Sequence, residues 1–231
     1  TDGNIISYDA SGNPVAIATG SDGQVLTSTG AGSPPAFEDV AAGITSLVEN
    51  NSIWLGVDPS GTTDTASYNV AVGTTALDAI TTGDNNVAIG YDALTASTTG
   101  ADNTAVGYEA LKSHTIGWGN TAAGKQALYT NTTGNANTAA GVYSLFANTN
   151  GAGNVAVGYW ALAANTTASY NSAAGYKALY ANTTGSKNTA TGHESLIANT
   201  TGIWNTAAGY QALYANTTAS YNSAAGYKAL Y

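Results

Sequence analysis

Asn205-Thr206-Ala207-Ala208-Gly209 is one copy of a five-residue phrase that recurs at a fixed stride. The copies open at Asn69, Asn86, Asn103, Asn120, Asn137, Asn154, Asn171, Asn188, Asn205 and Asn222, 17 residues apart with no insertion or deletion. Ala stands two places after each Asn and Gly four places after. Leu stands eight places after, at Leu77, Leu94, Leu111, Leu128, Leu145, Leu162, Leu179, Leu196, Leu213 and Leu230. Most units close on a second glycine, such as Gly134 or Gly202, with Ala168 and Ala219 taking that place twice. A fixed period with fixed small residues means that each unit meets its neighbours in the same way, as in a stacked array.

The phrase alternates and is rich in β-branched residues in several copies, so it reads as a five-residue strand. Alternation puts Asn, Ala and Gly on one face and the Thr/Val/Ser and Val/Ala/Ile/Thr positions on the other. Tyr210–Tyr214, Tyr-Gln-Ala-Leu-Tyr, holds helix-compatible residues over only about one turn, which predicts a short helical or irregular corner. Asn199–Gly202, Asn-Thr-Thr-Gly, is turn chemistry in which glycine is expected to supply positive φ. One strand and two corners per 17 residues predict one coil of an all-β parallel β-solenoid or β-roll. Ten coils at a spacing of about 4.8 Å make a rod of roughly 45–50 Å. Asn then forms an amide ladder, Leu a core ladder and Tyr an aromatic column. The core is thin, so burial against other copies of the chain is expected, with a three-fold axis as the natural closed arrangement.

Residues 1–40 read as a β-rich N-terminal segment, with strands expected near Asn4–Tyr8, Pro14–Ala18, Gln24–Ser28 and Ala36–Val40. Asp9–Asn13 and Ser21–Gly23 are turn-rich, and Ala31–Pro35 cannot continue a ladder because proline lacks the donor. Residues 41–68 read as a connector that caps the stack. It holds the strand-like runs Ile44–Val48 and Ser52–Gly56 and the turn Asp58–Gly61. Residues 69–231 are the array. Thr1 is not an initiator methionine and Tyr231 falls just past a repeat leucine, so both ends read as cuts in a longer chain.

Charge is scarce, at 8% of residues, and the formal net charge is -9. Residues 1–111 hold thirteen of the fourteen acidic groups and no lysine, and there is no arginine anywhere, which disfavours nucleic acid as a partner. The absence of cysteine excludes a disulfide scaffold and thiol chemistry. No apolar run approaches the ~18 residues of a membrane span. His114 and His193 are single substitutions within the repeat and read as solvent-facing variants. Asp78, Asp84, Asp92 and Asp102 keep no repeated ligand spacing. No catalytic, cofactor or metal site is expected, and the chain does not read as an enzyme. Asn131, Asn165, Asn182, Asn199 and Asn216 each begin Asn-Thr-Thr, an N-glycosylation pattern whose simpler reading is turn chemistry. The Thr-Thr pairs also raise an ice-binding reading, which their place in a turn disfavours.

Asn103–Leu111 and Asn205–Ala219 resemble repeats of bacteriophage tail-fibre proteins. They also look like a longer version of the Asn/Ser-x-Ala-Ile-Gly units in head domains of trimeric autotransporter adhesins, with Asn86-Val87-Ala88-Ile89-Gly90 the nearest copy. Ser21–Phe37 is similar to a stretch found upstream in phage fibres. The resemblance implies a trimer of parallel chains, a left-handed parallel β-roll and a role in attachment, at a virion surface or outside the cell. The expected function is therefore the structural shaft of an extracellular trimeric fibre. The alternatives are an adhesin that meets a host-cell surface or glycan through Tyr91, Tyr108, Tyr159, Tyr176, Tyr210 and Tyr227, and a self-assembling extracellular filament.

Overall fold

A computed structural model describes residues 5–8, 14–17, 24–27, 36–39, 46–49, 51–56 and 65–231. The chain divides into two compact units, Thr1–Thr45 and Ser46–Tyr231. In the first, β1 (Ile5–Tyr8) pairs antiparallel with β2 (Pro14–Ile17), and β3 (Gln24–Thr27) pairs antiparallel with β4 (Ala36–Asp39). These four strands fall within the four expected stretches. The turns expected at 9–13, 21–23, 31–35 and 58–61 lie outside the described residues.

The second unit opens with an antiparallel hairpin, β5 (Ser46–Glu49) on β6 (Ser52–Gly56), turned at Asn51 with φ 58°. From β6 onward every pairing is parallel. The following strands are β7 (Val70–Gly73), β8 (Val87–Ile89), β9 (Thr104–Val106), β10 (Thr121–Ala123) and β11 (Thr138–Ala140). They continue as β12 (Val155–Val157), β13 (Ser172–Ala174), β14 (Thr189–Thr191), β15 (Thr206–Ala208) and β16 (Ser223–Ala225). Eleven parallel strands in sequence order make a β-solenoid of about ten turns. Each residue pairs with the one 17 places on, as Ala122 does with Ala139 and Ala139 with Ala156. The stride in sequence is therefore the rung of the stack.

One coil precedes those counted from the asparagines. Ile53 pairs with Val70 and Trp54 with Ala71, so Ser52-Ile53-Trp54-Leu55-Gly56 is a divergent copy of the phrase. Ser replaces Asn and Trp replaces Ala, which hides it in sequence. Ser52 still performs the Asn function, its Oγ accepting the Asn69 N–H at 2.9 Å. Trp54 is buried in the column that later coils fill with alanine.

Alternation within the strand falls as the sequence predicts. The central Ala of every strand from β7 to β16 is buried, and the residues beside it face outward. The leucine ladder is buried from Leu77 to Leu213 and is exposed only at Leu230, in the last coil. These ladders close within one chain, so covering the core does not of itself require another copy.

The corners hold no helix. After the strand, Ala212 N–H donates to the Gly209 carbonyl and Asn216 N–H to the Leu213 carbonyl, two successive tight turns. Four places in each coil have positive φ, illustrated by Gly209 (132°), Gln211 (52°), Leu213 (51°) and Tyr221 (63°). All ten ladder leucines sit in this left-handed region, which disfavours residues with a Cβ. Packing the leucine inward holds it there. The closing glycine does not supply positive φ, contrary to the expectation from Asn-Thr-Thr-Gly. Gly202 is absent from that region, and the residue two places later, Trp204, adopts φ 59° instead. The closing glycines are crowded without being strained, a Cβ at Gly185 lying 2.3 Å from the Gly202 carbonyl oxygen, whereas the strand-end glycine combines crowding with positive φ. Gly175 has φ 141°, and a Cβ there would lie 2.4 Å from the carbonyl oxygen of Gly192 in the next coil.

The left-handed place before the ladder asparagine gives a direct test. Gly119 and Gly153 occupy it in two coils, and Ala136, exposed with φ 54°, lies between them. Ala136→Gly should stabilise the array by about 0.5–1 kcal/mol through strain relief. Urea unfolding reads the change, and a loss of stability would contradict it.

Candidate interaction surface

Two asparagine ladders run through the solenoid, and they fix which residues are left for the surface. In the first, each Asn Oδ1 accepts the backbone N–H of the next ladder Asn, from Asn86 on Asn69 at 2.8 Å to Asn222 on Asn205 at 2.9 Å. Each Nδ2 from Asn69 to Asn205 donates to a carbonyl 14 residues on, as Asn137 does to Gly151 at 2.8 Å. The second ladder was not read from sequence. Asn131, Asn148, Asn165, Asn182, Asn199 and Asn216 stack at the same stride, and from Asn148 on each Nδ2 donates to the Oδ1 below at 2.7–3.0 Å. Gly151 O thus accepts two amides, from Asn137 at 2.8 Å and from Asn148 at 3.0 Å.

This second ladder decides the glycosylation pattern. Asn131, Asn165, Asn182 and Asn199 are fully buried with their amide nitrogens committed, so a sugar cannot be attached to them in the folded coil. The neighbouring threonines are structural as well. Thr166 Oγ1 donates to the Thr183 carbonyl at 3.2 Å, and Thr183 Oγ1 to Thr200 at 3.1 Å. The second Thr of the pair is the exposed one at Thr133, Thr167 and Thr201, while Thr132, Thr166 and Thr200 are half-buried.

His114 occupies the second ladder, and the reading of it as solvent-facing is overturned. The stride places Ile80, Ser97, His114 and then Asn131 in one column, and all four are buried. His114 Nδ1 lies 3.4 Å from Ser97 Oγ, while Nε2 lacks a hydrogen-bond partner among the described residues. Burial pushes its pKa down to about 4, against a weaker opposing pull from the Gly117 carbonyl. His193 is at the surface, stacked between Tyr176 at 4.8 Å and Tyr210 at 5.2 Å.

The six tyrosines lie where the chain leaves the strand. Tyr91 stacks on Tyr108 at 5.5 Å, and Tyr159, Tyr176, His193, Tyr210 and Tyr227 form a five-ring column at 4.8–5.8 Å. Lys125 interrupts the column, its ammonium 5.8 Å from the Tyr108 ring and 5.7 Å from Tyr143. Beside it Tyr143 stacks on Trp160 at 4.5 Å, and Tyr129 on Phe146 at 5.2 Å. Because these rings stack face to face, mainly their edges and hydroxyls meet solvent.

Early in the array Asp92, Glu109 and Lys112 form a compact charged group, with Lys112 Nζ 2.9 Å from Asp92 and 2.6 Å from Glu109. Burial raises the Asp92 pKa, but hydrogen bonds from Thr75 and Lys112 outweigh it and hold the carboxyl low. Glu109 is held low chiefly by Lys112. Asp84 instead accepts the Ser67 N–H at 2.8 Å. No helix among the described residues is long and apolar enough to cross a membrane.

Comparisons with protein-family models, curated proteins and solved structures give no significant match.

Proposed function

We propose that this chain is a shaft segment of an extracellular fibre, built from three parallel copies and holding an attachment tip away from its base, in the manner of a phage tail fibre. The observation that supports this is the register-exact stack. Eleven parallel rungs share one pairing rule, and both asparagine ladders tie each coil to the next along one axis. Such a unit resists bending and lengthens by adding coils, which suits a spacer. Sedimentation equilibrium of residues 1–231 tests the assembly. The expected species has three times the 23.0 kDa chain mass, and a monomer at micromolar concentration would overturn the trimer.

A second reading, glycan binding by the tyrosine column, draws on the exposure of Tyr91, Tyr108, Tyr159 and Tyr210. Stacking covers the ring faces on which sugars usually pack, so this reading ranks below the shaft. A glycan array without signal would remove it.

A further inference from the structure

We propose that the outward face of the parallel sheet is where a second copy of this chain packs, side by side and parallel, in rung-for-rung register. The inference rests on the fibre reading and assigns its contact surface.

From β7 to β16 the outward side chains are valine, isoleucine, threonine, serine or alanine without exception. No outward position on these strands is charged, although residues 69–231 hold six acidic groups and five lysines. Several are sizeable apolar groups left in water, including Ile89, Val106, Val155 and Val157 at 39–45% exposure. A solvated sheet face normally carries polar side chains, and a contiguous exposed apolar patch marks a contact site. Here the array's charges lie in the corners. Lys125, Lys177, Glu194 and Lys228 follow the strand, and Asp102 and Lys187 precede the next one. The strip is also bordered by rings, the tyrosine column on one side and Trp118, Tyr170, Trp204 and Tyr221 on the other. A charge-depleted centre within a polar, aromatic border is the make-up of a protein–protein contact.

Two features select a second copy as the occupant. The strip carries no charge, so the same strip on a second copy meets it without like-charge repulsion and without burying an unpaired ion. A second copy also brings the same rung height, about 4.8 Å, and can interdigitate along the whole strip rather than at one or two rungs. The area sets a further condition. Ten rungs give roughly 500 Å², short of the roughly 800 Å² each partner contributes to a standard interface. The bordering rings must therefore join the contact.

The test compares two variants that place the same three charges on the same three coils. Thr121→Glu with Val155→Glu and Thr189→Glu charges the strip, and Thr133→Glu with Thr167→Glu and Thr201→Glu charges the exposed threonines of the far corner. Sedimentation velocity reads association and circular dichroism reads folding. The strip variant should sediment as a folded monomer, its association weakened at least a hundredfold, while the corner variant assembles as the parent does. If the triple strip variant does not fold, Val155→Glu set against Thr167→Glu decides in the same way. Assembly unaffected by strip charges would overturn the proposal and leave the fibre reading standing. A monomeric parent chain would overturn both, including one whose strip instead binds a glycan or ice.

Discussion

Asn171→Ala should destabilise the array by about 2–4 kcal/mol, although it removes one uncharged side chain from a coil far from either end. Asn171 is buried and its amide makes two bonds. Oδ1 accepts the Asn188 N–H at 2.9 Å, and Nδ2 donates to the Gly185 carbonyl at 2.9 Å. Gly185 keeps a second donor, Asn182 Nδ2 at 2.8 Å. The Asn188 amide loses its partner inside the protein, where water cannot replace it, and this loss is the larger part of the effect. Asn171→Asp separates the two bonds. It keeps the acceptor, but removes the donor and sets a buried carboxylate against the Gly185 carbonyl. That variant should be less stable than Asn171→Ala at neutral pH and recover on acidification as the carboxyl protonates. Urea denaturation of both at two pH values is the check, and equal stability of parent and Asn171→Ala would show that the ladder contributes nothing.

Acid should weaken the fold through His114. Its pKa is about 4 in the folded chain, against an ordinary value of 6.5. The folded state therefore prefers the neutral ring, and the unfolded chain binds more protons between those two values. Stability from this group is complete above pH 6.5 and declines as pH falls, the loss being complete below about 4. A difference of about 2.5 units corresponds to roughly 3 kcal/mol. Asp92 and Glu109 are held below their ordinary values of 3.8 and 4.5, so their contributions are lost at lower pH than most of the His114 window. Stability measured from pH 7 to 4.5 isolates the histidine among the described residues. His114→Asn restores the side chain that follows at Asn131 and should flatten the profile across that window. An unchanged slope would refute the assignment.

The fold was largely legible because the chain repeats. A fixed stride forces like residues into columns, so the buried Asn, Ala and Leu and the stacked Tyr could be placed before any coordinate was known. What escaped was conformation and divergence. Nothing in Tyr-Gln-Ala-Leu-Tyr announces that Gln211 and Leu213 take positive φ, since isolated leucine avoids it and only inward packing imposes it. The coil at Ser52–Gly56 was hidden because its two marker residues are replaced. Asn165 and its equivalents were read one unit at a time as turn formers or sugar acceptors, yet the stride that revealed the first ladder also applies to them. His114 was misplaced for the same reason, since its column runs through Ile80 and Asn131.

The β5–β6 hairpin gives the assembly a direction. Its strands join through a two-residue connection, whereas every later pairing in the array must close a loop about one coil long. Loop closure is the entropic toll on each step, so the hairpin is the cheapest place to nucleate. Once it exists, β6 offers a finished template to β7, and each new coil then templates its successor. Such a polymer can zip up vectorially as it leaves the ribosome, each coil settling before the next has been synthesised.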